Sequence, residues 1–295
     1  MKFASWTVAL AFLAIGTSTI CFADDPASEA DRDQVTRIGA VAYAPSAVTI
    51  FDGLTRYLNK NGMPSDYVLY SNYDSLIAAL ERGEIEIAWN TPLAHAKYHV
   101  RNNCSSQTLV MRDVDVGVRS ILVARTGSSI KSPSDLAGKN LVLGSLQAAE
   151  ATVLPLHYLK KEGTDFGKIT IVSLDQEVDS QGNPCASPQH VLKALRDGRG
   201  DAGIITSELW KHVKDDPKVR GSLDVIWTSP PFSHCVFTAA PTFDKKRAAR
   251  FTQLMQDMDP QAKETIDVMR LEGTKKWLAG SADGFEDLVE ALRAK

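Results

Sequence analysis

At 295 residues, 44% apolar and 23% charged, the chain is long enough for two domains and is neither disordered nor collagen-like in composition. A formal net charge of -3 with interspersed signs provides no basic field, which argues against nucleic acid and anionic membrane surfaces as partners. A small neutral or anionic ligand stays compatible, because local dipoles bind what net charge does not.

Lys2, an apolar run from Trp6 to Ile15 and Cys21-Phe22-Ala23 before Asp24-Asp25 have the pattern of a secretory signal peptide over 1–23. The mature chain is expected to begin near Asp24, periplasmic or otherwise exported. The apolar core is too short to span a bilayer, which takes about 20 residues. Thr19-Ile20 before Cys21 is a poor match to a lipidation signal, although the residue type leaves that reading open. Cleavage leaves Cys104, Cys185 and Cys235, an odd set without CxxC spacing, so at most one internal disulfide forms and inert cysteines are the plainer expectation.

After a polar, acidic stretch over 24–34, Arg37 to Ala42 reads as a strand and Tyr43 to Ser46 as a loop. Val48, Phe51, Leu54 and Leu58 then mark a helix stopped at Asn61-Gly62, and Tyr67 to Tyr70 a second strand. From Tyr73, Leu76, Ile77, Ala79 and Leu80 recur at helical spacing as far as Gly83. Ile85, Ile87 and Trp89 alternate as a strand into Asn90-Thr91-Pro92. This β-α-β-α-β order implies parallel strands with helical crossovers.

Arg119 to Arg125 reads as a further strand, after which the plan restarts. A short helix from Ser132, a strand over Leu141 to Gly144, a helix from Leu154 to Lys161 and a strand over Ile169 to Val172 follow. Val191 to Leu195, Gly198 and Asp201 to Ile205 repeat the helix-Gly-strand unit. At an offset of 115, Ala79, Leu80, Gly83, Glu86 and Thr91 fall on Ala194, Leu195, Gly198, Asp201 and Thr206. Two lobes of similar plan are one explanation; the other is that any helix-Gly-strand unit looks alike. Leu223 to Trp227 and Val236 to Ala239 are strands. Helices over Lys245 to Met258, Gln261 to Leu271 and Phe285 to Leu292 are expected to pack back on the first lobe. Crossings near Val118 to Ala124 and Ile226 to Ser233 predict a two-stranded hinge.

The expected fold class is therefore α/β, with lobe 1 over 35–118 plus 233–295 and lobe 2 over 119–232. Ligands in parallel α/β sheets bind outside the carboxyl ends of the strands, where helix N-termini offer free N–H groups. The loops at those ends carry Tyr43, Ser46, Asn90, Thr91, Ser145, Gln147, Thr206 and Ser207. Tyr73 is the aromatic best placed for the cleft, and Gln189 and His190 are further candidates. Arg119, Glu150 and His234 stand in a second rank. Trp89 and His95 are as readily a core residue and a helix-cap or surface residue. No GxSxG, HExxH, GxxxxGK[ST] or GxGxxG stands in its required context, so no catalytic residue, cofactor or resident metal is expected. His234-Cys235, as strand neighbours, should point to opposite faces, which disfavours a Cys/His pair. Together with Cys185 and His190 they match no standard zinc spacing.

Tyr73 with its helix, EIEIAWNTP, RSILVAR, SPSDLAGKNLVLGS, the Pro155 helix, LRDGRGDAGIIT and IWTSPPFSHCVFTA together resemble the periplasmic phosphate/phosphite/phosphonate-binding components of ABC transporters. The resemblance implies a type II periplasmic binding fold that closes by a hinge on a small oxyanion and then docks on a membrane permease; the chain is expected to be a monomer. It aligns the family's cleft aromatic with Tyr73 and the residue after the strand-end Trp with Asn90. Its Ser-Thr-Ser phosphonate run falls on Ala148-Ala149-Glu150, where hydroxyl donors are lost and a negative charge is added. Ser145, Gln147 and Thr152 are the replacements to consider, and an amine-bearing ligand becomes compatible. The rival readings are a sensor partner of a membrane kinase, and a periplasmic enzyme or metal-binding protein using Cys235 and His234.

Overall fold

The computed structural model describes residues 35–294; the leader, its cleavage near Ala23 and Cys21 lie outside the described residues. Two sheets organise the chain. The first has strand order β11-β4-β10-β3-β1-β2, built from β1 (Thr36–Val41), β2 (Ser65–Tyr70), β3 (Ile87–Asn90), β4 (Gln107–Arg112), β10 (Val236–Ala239) and β11 (Trp277–Ala279). The second has order β7-β6-β8-β5-β9, from β5 (Ser120–Arg125), β6 (Asn140–Leu143), β7 (Thr170–Ser173), β8 (Ala202–Thr206) and β9 (Leu223–Thr228). In each, three parallel strands are joined by antiparallel ones: β10 beside β3 in the first, β5 beside β8 in the second.

The helices are α1 (Ser46–Lys60), α2 (Tyr73–Glu81), α3 (Pro92–Arg101), α4 (Leu154–Lys161), α5 (Pro188–Arg196), α6 (Ser207–Val213), α7 (Lys245–Gln256), α8 (Ile266–Leu271) and α9 (Glu286–Arg293). Among the described residues no helix is long and apolar enough to cross a membrane.

Both faces of the first sheet are covered, which is why β3 is buried at every position. Phe51, Leu54 and Leu58 of α1 and Phe251, Leu254 and Met255 of α7 pack on one face with Trp89, Phe237 and Trp277. Leu76, Ile77 and Leu80 of α2 and Tyr98 of α3 cover the other around Ala88. In the second sheet Val142, Val123 and Ile205 meet Val191 and Leu195 of α5, while Leu122, Leu141 and Ile204 meet Leu159 of α4. Trp89 is thus a core residue. His95, read from sequence as a surface or cap position, is buried, its Nδ1 2.9 Å from Thr238 Oγ1.

The short internal repeat has a physical basis. Gly83 and Gly198 both adopt left-handed φ, +70° and +74°, just past α2 and α5, where a Cβ would be strained. Glu86 Oε2 accepts the Arg37 N–H at 2.7 Å at the edge of β1, and Asp201 Oδ2 accepts the Asn140 N–H at 2.8 Å at the start of β6. Thr91 and Thr206 each cap the helix that follows, accepting from Ala94 N and Leu209 N. The same three devices set strand start, helix end and loop exit in both sheets.

Val118 and Phe232 exchange two antiparallel backbone bonds, 3.0 and 2.9 Å, where the chain passes from one sheet to the other and back. The terminal helix departs from expectation. Leu288 and Ala291 of α9 pack against Leu93 and Ala96 of α3 and also against Leu154 and Tyr158 of α4, so α9 touches helices of both sheets. The Tyr158 hydroxyl donates to Asp287 at 2.9 Å.

Candidate ligand-binding site

The loop after β6 turns at Ser145 and enters a wide helical turn over Ala149–Val153 that runs into α4, with Pro155 in its first turn. Opposite it stand the N-terminal turns of α2 and α3. A cavity of about 550 Å³ lies between, lined by Tyr73, Thr91 and Lys97 on one side, Ser145, Gln147 and Glu150 on the other, and His234.

Beneath this cavity is a charged cluster that sequence reasoning did not find. The Arg112 guanidinium holds Asp115 through two bonds, Nε to Oδ2 at 2.6 Å and Nη2 to Oδ1 at 2.8 Å, and Glu272 Oε2 at 3.1 Å. It also lies over the Trp89 ring, 5.4 Å from the centroid. The Tyr43 hydroxyl donates to Glu272 Oε1 at 3.0 Å. His234 continues the chain of contacts, Nδ1 3.1 Å from Asp115 Oδ1 and Nε2 3.4 Å from Glu150 Oε2.

Burial penalises every charge here, and the partners decide which survive. Burial pushes the Asp115 carboxyl up, but Arg112 and His234 outweigh it and hold it below the usual carboxylate range. Glu150 is likewise held down by His234 against burial. Burial pushes His234 down, while Cys235, Asp115 and Glu150 together raise it well above ordinary imidazole, so it is charged at neutral pH. Burial drives the Glu272 carboxyl up further than Arg112 and Tyr43 hold it down. Burial also raises the Tyr73 phenol, which stays protonated as a donor. Both of these half-buried cations are therefore committed to internal carboxylates. Lys97 at the rim pairs, among the described residues, with Asp74 alone, at 3.5 Å.

The expected site residues divide into those the cavity gathers and those it does not. Tyr73, Thr91, Ser145, Gln147, Glu150 and His234 line it, and Tyr43 reaches the adjoining cluster through Glu272. Asn90 ends β3 fully buried, with neither side-chain amide atom hydrogen-bonded among the described residues. Ser46 lies in the first turn of α1, half-buried. Thr206 and Ser207 spend their hydroxyls on the Leu209 and Arg119 N–H groups. Arg119 donates to the Ser229 carbonyl at 2.6 Å, and Thr152 to the Ser145 carbonyl at 2.9 Å. Gln189 is exposed, and His190 closes a capping box with Ser187 at the start of α5, beside Cys185 in a separate depression. None of these eight lines the cavity.

The Cys185, His190, His234 and Cys235 set is not brought together as one cluster among the described residues. His234 and Cys235, by contrast, are in contact, Sγ 3.2 Å from Nδ1. The strand begins only at Val236, so alternation does not govern the pair before it. The three cysteines of the described chain are free thiols, Cys235 the buried one.

A family model described as "ABC transporter, phosphonate, periplasmic substrate-binding protein" matches residues 38–285. Among solved structures, the chain is similar to PhnD1 from Prochlorococcus marinus in complex with methylphosphonate. The TM-score is 0.63 at 17% identity, covering 88% of this chain and 97% of that one. It is also similar to XAC2383 from Xanthomonas citri bound to chloride ion, with TM-score 0.68 at 15% identity over 88% and 98%. A binding protein component of an ABC phosphonate transporter from Pseudomonas aeruginosa gives TM-score 0.56 at 16% identity over 88% and 84%.

Proposed function

The chain belongs to the periplasmic substrate-binding proteins of phosphonate ABC transporters, and we propose that it captures a small solute between lobes 35–118 plus 233–295 and 119–232 for delivery to a membrane permease. The two lobes turn about the Val118–Phe232 crossing. A ligand touching both lobes stabilises the closed state over the open one by the contacts that only closure makes. The chain acts as a monomer exported after cleavage near Ala23, and it turns nothing over.

The observation that carries this reading is the cavity whose walls come from both sheets, Tyr73, Thr91 and Lys97 facing Ser145, Gln147 and Glu150. Its polar groups are hydroxyls, an amide, one weakly paired lysine and the His234–Glu150 pair; the hydroxyls, amide and lysine suit a small oxygen-rich solute such as a phosphonate or another oxyanion. Directly before Thr91, though outside the cavity wall, Asn90 holds a buried amide with no hydrogen-bond partner among the described residues, a group that closure on a solute could satisfy.

A thermal-shift screen of the mature chain against phosphonates, phosphite, phosphate, sulfonates and small amines tests it. A ligand present at 100 times its Kd adds about 2.7 kcal/mol of stability and raises the melting temperature accordingly. No shift with any of these solutes overturns the reading.

A further inference from the structure

We propose that Cys235 Sγ, His234 Nδ1 and Asp115 Oδ1 bind one thiophilic divalent transition-metal ion of the zinc class, with the fourth coordination position open to water or to the captured solute. Only that last clause rests on the solute-capture reading.

The donor set is of the right kind: a thiolate, an imidazole and a carboxylate suit zinc or its neighbours and disfavour magnesium or calcium. It is also nearly of the right size. The three ligand atoms lie within 4.8 Å of one another, with Nδ1 at 3.2 Å from Sγ and 3.1 Å from Oδ1. Ideal tetrahedral zinc with ordinary Zn–S and Zn–N bonds separates S from N by about 3.6 Å and N from O by about 3.3 Å. An expansion of a few tenths of an ångström accommodates the ion.

The surroundings match what such ligands require. A metal-ligating histidine normally presents its second ring nitrogen to a carboxylate, which fixes the tautomer. Here Glu150 Oε2 stands 3.4 Å from His234 Nε2, leaving Nδ1 to face the thiol. Asp115 is oriented in turn by the two Arg112 bonds. Binding replaces protons: the Cys235 thiol proton and the His234 Nδ1 proton leave to solvent, and no electron transfer is involved. Because Arg112 and His234 are both committed to carboxylates, a metal would give an oxyanion a second cation beside Lys97 at the rim.

The test titrates chelator-treated full-length mature protein with cobalt(II) chloride as a spectroscopic probe and zinc chloride as competitor. One equivalent of cobalt should produce a thiolate-to-metal charge-transfer band, and one equivalent of zinc should bleach it. Cys235→Ser should abolish the band. A Cys104→Ser/Cys185→Ser variant, in which Cys235 is the sole remaining thiol of the described chain, should keep it. Glu150→Gln should weaken affinity by about 10- to 100-fold. Absence of the band in both the wild-type chain and the sole-thiol variant, or its persistence in Cys235→Ser, overturns the proposal. A thermal shift with a solute but no cobalt band overturns the metal site alone. A cobalt band with no solute shift sustains the metal site and overturns solute capture.

Discussion

His234 and Glu150 face each other across the cleft, Nε2 to Oε2 at 3.4 Å, one from the segment leading into β10 and the other from the wide turn before α4. Both are mostly shielded, with 23% and 21% of their side chains exposed. The pair therefore ties the two sides together more firmly than a surface ion pair does. At 3.4 Å it is an ion pair rather than a close hydrogen bond, worth about 1 kcal/mol. Glu150→Gln should speed backbone hydrogen exchange over 149–153 by about five-fold, the factor that about 1 kcal/mol gives. Unchanged exchange there would show that the pair does not hold the turn.

Arg112 neutralises two carboxylates whose side chains are 2% and 3% exposed, Asp115 and Glu272. Arg112→Ala leaves Glu272 without its cation and Asp115 with His234 alone, and breaking a buried pair in this way costs about 3–5 kcal/mol. Arg112→Lys should recover only part of that loss, since an ammonium does not reproduce the bidentate fork. Urea denaturation monitored by tryptophan fluorescence reads both values. A loss below about 1 kcal/mol for Arg112→Ala would contradict the assigned role.

Asn90 offers a separation of stability from binding. A buried amide with no partner costs the folded state about 1–3 kcal/mol. Asn90→Leu is therefore expected to leave the unliganded melting temperature unchanged or higher, while weakening solute binding measured by calorimetry. A variant that melts lower yet binds normally would place Asn90 among the packing residues.

The buried imidazole of His95 predicts a pH dependence. Burial, with a smaller contribution from His99, pushes its pKa from 6.5 down to about 3. The unfolded chain therefore takes up a proton at this residue as pH falls below 6.5, and the folded chain does not until about pH 3. Stability contributed by neutral His95 is complete above 6.5 and declines as pH falls, by about 2 kcal/mol between 6.5 and 5. Replacing His95 with Gln should flatten the stability profile of that window. An equally steep profile in the variant would assign the dependence to another group.

Much of this was legible in the sequence because it is local. The β-α-β-α-β order, the 154–161 helix and the Gly83 and Gly198 stops follow from periodicity and chain punctuation over a few residues. Two strands were not legible: β4 offers only Leu109, Val110 and Met111 as an apolar run, and β11 is three residues long. Both are strands because the sheet supplies their partners. The cavity residues Thr91, Ser145 and Gln147 were readable as loop positions at strand ends, and Tyr73 as the aromatic opening a helix. Thr206 and Ser207 occupy the equivalent place in the repeat, yet local capping and backbone bonds claim their hydroxyls. The charged cluster was out of reach, because Arg112 and Glu272 are separated by 160 positions and meet only when β4 and α8 come together. His234 and Cys235 were misjudged by assigning them to a strand that starts one residue later.

Small-angle X-ray scattering of the mature chain, with and without a saturating solute found in the thermal screen, tests capture between two lobes most directly. The account predicts that the radius of gyration falls on binding, and that Glu150→Gln raises it in the absence of solute. A radius unchanged at saturation, with binding confirmed by calorimetry in the same sample, would contradict closure of the lobes on their ligand.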